Sequence, residues 1–517
     1  MATTVSAFTL ARVAGGARYG AVLPGLPGLP LRLAVDPLAA VLSLTVSGVV
    51  LLVLIYAAGY MEGEADQARF YAEMLFFAAS MQMLVLAADW LLFLAAWELI
   101  GLSSYLLIGF WYERPDVPAA ASRAFLTTRA ADLGLYIGIF VLVTRAGTTA
   151  IEPTLKIGGG TATIAGALLL IAAMGKAAQV PFQGWLQDAM LGPTPVSALL
   201  HAATLVTAGA ILLARAFPLL TPGVLLAAGL VGGVTAVVTG LMALALPDLK
   251  RLLAASTSSQ LGFMLLAVGA GSVGAAIAHL VAHAAMKSAL FQGAGIFQHA
   301  RGGTAFARLR GAGRALPGTF TCFALAALAL AGVPPLAGFW SKDAIESAAL
   351  NSRFGPLLAT LAIAGTLLTG AYMGRTMRLL WQGPAGAEPV AGLGRMLVGL
   401  SLLTLLAATL GATVGPIRGF VGRPVPSEAL SLALGLGATF GGLGLGWLIT
   451  APAVPGPLYA WAAGGFRIGG GFAGLVAEPA LTLAFALDRL DRAIFAGVLG
   501  ASPVFRTVGL KKDRRTA

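Results

Sequence analysis

Two lysines stand where a lysine is costly. Lys176 lies in IAAMGKAAQVPFQGWLQDAM (171–190) and Lys342 in LALAGVPPLAGFWSKDAI (328–345). Both stretches are mainly apolar, and both carry a proline break. An ammonium at bilayer depth costs at least ~2.5–3.5 kcal/mol on insertion scales, so it marks a function by default. Two such sites in the two halves of a long membrane chain, each beside a broken helix, imply ion or proton movement across a bilayer. Glu98, in LLFLAAWELIGLSSYLLIGF (91–110), is the lone acid in an apolar run long enough to span. A carboxylate within ~4–6 Å of an amine favours its charged form, so a Glu98 that approaches Lys176 and moves away makes a proton switch. The alternative is a structural ion pair or an interfacial acid.

His279, His283 and Lys287 follow at i, i+4 and i+8 in AAIAHLVAHAAMKSALF, which puts them on one helix face. Histidine titrates near neutral pH, so the stripe reads as a proton relay. The HxxxH spacing also suits a metal, but with no carboxylate nearby it is a weak pattern. His201, in PTPVSALLHAATLVTAG, falls on the span after Lys176 and extends the path. Several residues are supporting candidates. Asp132 and Arg129, one turn apart in TTRAADLGLY, read as a structural pair, with a place near Glu98 as the other option. Lys250 reads as an interfacial residue paired with Asp248. Asp188 follows the first break, and Asp343 is placed to neutralise its neighbour Lys342.

These residues need a lipid-immersed helical frame. The 517-residue chain is 58% hydrophobic and 10% charged, where soluble domains carry roughly 25% charged residues. About thirteen apolar spans are expected, near 34–58, 72–88, 90–111, 119–144, 161–190 (broken), 194–217, 222–246, 249–270, 273–298, 316–350 (broken), 354–381, 394–414 and 429–452. The fold class is therefore an all-α polytopic membrane protein. Residues 464–500 mix apolar and charged positions like an interfacial amphipathic helix, and a basic tail follows. The expected division is an N-terminal segment (1–32), a first span (33–70), two units of about five spans each (71–220 and 221–385), further spans (386–455) and the amphipathic region with its tail (456–517). An odd number of spans per unit makes the two units inverted.

The net charge of +12 sits in short loops and at the C-terminus, which fits the positive-inside rule better than a nucleic-acid partner. The C-terminus is expected in the cytoplasm and the N-terminus outside. Residues 1–30 do not read as a cleavable signal, because Arg12 and Arg18 follow the apolar patch. One cysteine, Cys322, builds no disulfide and no iron–sulfur or zinc site by itself. No glycine-rich nucleotide fingerprint follows a strand pattern. The chain is expected to carry no cofactor and no metal.

Five segments together resemble a known family. They are ADWLLFLAAWELIGLSSYLLIGFWY, GKAAQVPFQGWLQDAMLGPTPVSALLHAATLVTAGAILLAR, DLKRLLAASTSSQLGFM, AAIAHLVAHAAMKSALFQGAG and LAGVPPLAGFWSKDAI. The chain resembles the antiporter-like membrane subunits of which the L subunit (chain 5) of respiratory complex I, the proton-pumping NADH–quinone oxidoreductase, is one. The match runs from about residue 33 to about 380. The resemblance implies two inverted five-helix units forming a channel. It implies Glu98 and Lys176 as the input-side pair, Lys287 with His279, His283 and His201 as the central connection, and Lys342 beside Asp343 as the exit-side site. Residues 464–500 resemble the start of the family's lateral helix. The family's first two helices and its final anchoring span have no counterpart in this reading.

Three functions fit the resemblance. The first is a non-redox, proton-translocating subunit of a complex I-like enzyme in the inner (plasma) membrane. The second is a subunit of a multi-chain cation/proton antiporter, and the third is the membrane subunit of an inorganic-carbon uptake complex. A purely structural anchor needs none of these costly residues. Expected partners are other membrane subunits, the lipid bilayer and protons, with sodium as the alternative ion.

Overall fold

The computed structural model describes residues 1–26, 29–422, 427–449, 462 and 482–489. A short helix, α1 (Ala2–Ala14), leads into an antiparallel hairpin of β1 (Tyr19–Leu26) and β2 (Leu29–Val35), with Tyr19 opposite Val35. The rest of the named elements are helical: α2 (Pro37–Tyr60), α3 (Gln67–Leu86), α4 (Trp90–Ile108), α5 (Asp116–Ala146), α6 (Gly159–Lys176), α7 (Gly184–Asp188), α8 (Thr194–Leu219), α9 (Pro222–Ala245), α10 (Leu249–Gly269), α11 (Val273–Arg301), α12 (Pro317–Ala331), α13 (Ala337–Leu350), α14 (Gly355–Trp381), α15 (Leu393–Val421) and α16 (Ala429–Leu448). The protein is an all-α polytopic membrane protein. The hairpin is a small departure, and its strands include Pro24, Gly25 and Pro30.

Among the described residues, 11 helices are long and apolar enough to cross a membrane. Two of the expected spans fall outside that set. The one near 72–88 is α3, whose hydropathy is lowered by Arg69, Glu73 and Gln82. The one at 316–350 is divided into α12 and α13, each too short to cross alone. The expected amphipathic helix at 464–500 is described at 482–489, which is helical with exposed side chains; its remainder and the tail lie outside the described residues.

Both breaks have local causes. After α6, Ala178 adopts φ 48, and Pro181 follows before the chain restarts at α7. A residue with a Cβ is uncommon at positive φ, and helix cannot continue through it. After α12, Gly332 turns through φ 102 and Pro334–Pro335 withholds two backbone donors. Helix α8 is expected from sequence as one regular span, yet it is broken in a third way. It opens with a widened π-type turn over Ser197–His201 and resumes regular helix at Ala208.

Three helices form the interior. The most apolar windows of α8 and α10 are fully buried inside the protein, and that of α11 is 94% buried. Polar side chains on these helices therefore face other helices rather than lipid. Elsewhere small residues allow close approach. Gly134 of α5 lies against the Leu168 backbone and Gly175 of α6 against Ala131, so a Cβ at either position would overlap its neighbour. That intimacy sets the α5–α6 separation, and with it the first candidate site.

The two halves share a motif of contacts. Asp89 precedes α4, accepts from the Leu91 backbone N–H and from Thr149, and forms a bridge with Ala150. Asp248 precedes α10, accepts from the Arg251 N–H and from Thr304, and bridges to Ala305. Asp132 stands 18 residues before Ala150, and Lys287 stands 18 before Ala305. Each hydrogen-bonds to the residue 8 positions after its half's capping aspartate, Trp97 for Asp132 and Ser256 for Lys287.

Candidate functional site

Lys176 ends α6 at the first break and is almost fully buried. Its Nζ lies 3.4 Å from Asp132 Oδ2 of α5 and 5.2 Å from the centre of the Trp97 ring. Trp97 Nε1 donates to the other Asp132 oxygen at 2.7 Å. Both members of the pair are 1% exposed, so the carboxylate and the ammonium compensate each other away from solvent. Gly101 of α4 leaves the room that the lysine head occupies, since an added Cβ there would come within 3.1 Å of Nζ.

This corrects the expected Glu98–Lys176 pair. Glu98 is ion-paired with Arg129 and accepts from Tyr136 Oη at 2.6 Å. Its side chain is 22% exposed and that of Arg129 30%, so this pair occupies the outer part of the α4–α5 contact. The expected Arg129–Asp132 pairing gives way as well: Arg129 turns to α4 and Asp132 to α6. The cause is helix geometry. Residues three apart point about 60° apart around an α-helix, so Arg129 and Asp132 serve different neighbours. Asp188 pairs with Arg123 at 3.0 Å, both substantially exposed, at the periphery.

Between Lys176 and the centre lies a set of buried polar groups. Gln179, in the break, donates to the Ser258 carbonyl of α10 at 3.3 Å. Lys250 is not paired with Asp248, which caps its own helix; the Lys250 ammonium is buried and donates to the Gly192 carbonyl at 3.0 Å. His201 lies on the π-type turn with its ring 6.0 Å from that of Trp185. Among the described residues, seven buried side chains here keep polar atoms without a hydrogen bond: Gln179, Gln183, Ser197, His201, Ser258, His283 and Gln292. Ordered water commonly fills such needs in protein interiors.

From Lys287 the hydrogen bonds become continuous. Its Nζ donates to Ser256 Oγ at 2.6 Å and to the Leu253 carbonyl at 3.0 Å. Ser256 donates to Tyr372 Oη of α14 at 2.7 Å, and Gln260 Nε2 donates to the same oxygen at 3.3 Å. Gln260 Oε1 faces His279 Nε2 at 3.2 Å, and His279 Nδ1 faces Ser341 Oγ at 2.9 Å. Gln260 Oε1 can only accept, so His279 carries its proton on Nε2 and its Nδ1 accepts from Ser341. His283 sits 6.1 Å from His279, ring to ring.

Ser341 immediately precedes Lys342, whose Nζ lies 3.4 Å from the Ala331 carbonyl at the end of α12 and 5.2 Å from the Phe263 ring centre. A cation at the carbonyl end of a half-helix is favoured by the helix dipole. Both break lysines thus sit at a half-helix C-terminus and over an aromatic face. Asp343 is not spent on Lys342: it accepts from Ser427 and from Ser431 at 3.1 Å, holding the start of α16.

The structure brings together Lys176 with Asp132, and Lys287 with His279 and the neighbourhood of Lys342. It leaves Glu98, Arg129 and Asp188 off that line. Ser256, Gln260, Ser341, Tyr372 and Glu346 are further residues that the structure adds to this interior. Gln260 is visible in the sequence as a polar residue in a serine-rich run inside an apolar helix, and Glu346 as an acid one turn after Lys342.

Fold and site together define a polytopic helical protein with ionisable groups strung through its interior. The family model described as NADH:quinone oxidoreductase/Mrp antiporter, transmembrane, matches residues 87–369, and the chain belongs to that family. The model for the N-terminus of chain 5 of NADH-ubiquinone oxidoreductase (complex I) matches residues 27–71. The chain is 45% identical over 370 residues to NADH-quinone oxidoreductase subunit L of Mycobacterium tuberculosis, covering 69% of this chain and 58% of that protein. It is 40% identical over 372 residues to the chloroplastic NAD(P)H-quinone oxidoreductase subunit 5 of Ranunculus macranthus, covering 68% of this chain and 50% of that one. The chain therefore spans roughly half to three-fifths of these curated relatives. Among solved structures, the Mrp complex from Dietzia sp. DQ12-45-1b aligns with TM-score 0.77 at 30% identity, over 97% of this chain and 60% of that one. The archaeal membrane-bound sulfane sulfur reductase aligns with TM-score 0.73 at 19% identity, over 86% of this chain and 91% of that one, a likeness of fold.

Proposed function

We propose that this chain is a proton-translocating membrane subunit of a complex I-like NADH–quinone oxidoreductase, carrying protons through its interior and no redox group of its own. The observation that carries the reading is the linked series Lys287–Ser256–Tyr372–Gln260–His279–Ser341, which ends beside Lys342. Such a series serves no obvious need in a passive anchor, because each buried polar group is costly unless it is satisfied.

Protons enter this scheme at the Asp132–Lys176 pair. They cross the region of unpaired side chains around His201 and His283 on bridging waters, reach Lys287, and move toward Lys342. Gln260 is the step that a proton does not cross by simple hopping, because an amide donates from nitrogen and accepts at oxygen. Its role is to hold His279 and Tyr372 in register, with water carrying the proton past it. The matched contacts around Asp89 and Asp248 support reading residues 71–220 and 221–385 as two repeated units, and an odd number of spans in each would invert one relative to the other.

The partners in this reading are other membrane subunits in the inner (plasma) membrane, with the C-terminus of this chain in the cytoplasm, as its lysine and arginine distribution favours. A second reading, a subunit of a cation/proton antiporter, is favoured by the 97% of this chain that aligns with the Mrp structure. The test is Lys176→Ala in the co-purified assembly reconstituted into vesicles. Proton movement should be lost while the subunits still co-purify; full proton movement would refute the route. Driving the vesicles with NADH and quinone, or alternatively with a sodium gradient, separates the two readings.

A further inference from the structure

Glu346 is a buried acid that the route above does not use. It lies one turn beyond Lys342 on α13, so the two side chains share a helix face, and each is 2% exposed. No ion pair within 4.0 Å joins them among the described residues. They line one small cavity of about 10 Å³, close to the room that a single water needs, together with Gly332, Thr366, Gly435 and Thr439. Glu346 Oε1 accepts from Thr366 Oγ1 of α14 at 2.6 Å. Oε2 points at Gly435 of α16, where an added Cβ would overlap it. The neighbouring helix thus leaves space for this carboxylate. The other acid of the cavity, Asp343, is already engaged by Ser427 and Ser431. Lys342 Nζ is engaged only weakly, at 3.4 Å from the Ala331 carbonyl.

We propose that Glu346 is a proton-carrying residue that takes the proton from Lys342 and passes it toward the membrane face where α13 ends. The inference rests on the proton-route reading. In the step, the Lys342 ammonium loses a proton to become the amine, and Glu346 Oε2 gains it to become the carboxylic acid, directly or through one water in the shared cavity. Thr366 holds the other oxygen throughout. Four residues of α-helix advance the site by about 6 Å toward that face. Beyond it, Ser347 contacts Ser431 at 2.7 Å, and Asn351 caps the Ser347 carbonyl at 2.9 Å.

The test uses the full chain in its co-purified assembly in vesicles, comparing Glu346→Gln, Glu346→Asp and, as a control, Lys342→Met. Glu346→Gln keeps the shape and the oxygen that Thr366 binds but cannot take the proton. It should slow proton movement about 100-fold, within the range of positioned proton-transfer groups. Glu346→Asp should recover a substantial part. A merely structural role predicts the reverse order, because glutamine fits the site better than the shorter aspartate. Infrared difference spectra during turnover give a second readout: a carboxylic C=O band absent from Glu346→Gln and shifted in Glu346→Asp. Full proton movement in Glu346→Gln with a dead Lys342→Met overturns this inference alone. Full movement in Lys342→Met overturns the route itself. If Glu346→Gln fails to assemble, an unshifted band in Glu346→Asp overturns the inference and a shifted one supports it.

Discussion

The Asp132–Lys176 pair allows a quantitative test by a double-mutant cycle with Asp132→Asn, Lys176→Met and the double variant. At 3.4 Å, and with an effective dielectric of about 20, the attraction is about 5 kcal/mol. Removing one partner of a buried pair typically costs about 3–5 kcal/mol, because the other is left uncompensated. The double variant removes both, so its cost should fall well short of the sum, leaving a coupling of about 3 kcal/mol. A second cycle pairs Glu98→Gln with Lys176→Met. Those side chains have other partners, Arg129 for one and Asp132 for the other, and their coupling should stay below about 1 kcal/mol. The assay is equilibrium unfolding of the purified protein in mixed micelles, followed by tryptophan fluorescence. Trp97, hydrogen-bonded to Asp132, reports on the site directly. A large Glu98–Lys176 coupling beside a negligible Asp132–Lys176 coupling would refute the assignment of partners.

Other predictions follow from single contacts. Tyr372→Phe deletes the oxygen that accepts from Ser256 and Gln260, so it should cost about 1–3 kcal/mol in unfolding measurements and slow proton movement without blocking assembly. Gly175→Val drives a side chain into Ala131 and forces α5 from α6; about 1–3 kcal/mol of stability and most proton movement should be lost together, seen in a melting curve and a vesicle assay. Asp188→Asn breaks a largely exposed pair with Arg123, so stability should change by less than about 1 kcal/mol and proton movement should stay at the wild-type rate.

The parts of this molecule legible in the sequence were those with a strong local signature. Apolar runs marked the helices, and Pro181 and Pro334–Pro335 marked the breaks. Lysine and histidine inside such runs stood out because burial makes them expensive. Partner choice was not legible. Whether Lys176 meets Glu98 or Asp132 depends on how closely α5 and α6 approach, and that is decided by Gly134 and Gly175 against specific backbone atoms. The π-type turn that carries His201 leaves no pattern in SALLH that separates it from regular helix. Ser256, Gln260 and Ser341 carry no sharp sequence signal, because neutral polar residues are common in membrane helices and reveal their use only when four helices converge. Span 72–88 shows the opposite limit: α3 is there, but its polar side chains take it below the hydropathy of a typical crossing helix.

The most direct test is an electron cryo-microscopy map of the wild-type assembly that shows ordered water. The proton-route account predicts waters within hydrogen-bonding reach of Gln183, His201, His283 and Gln292, linking the surroundings of Lys176 to Lys287. A dry, tightly packed interior at those four side chains, with their polar atoms turned onto protein partners, would contradict it.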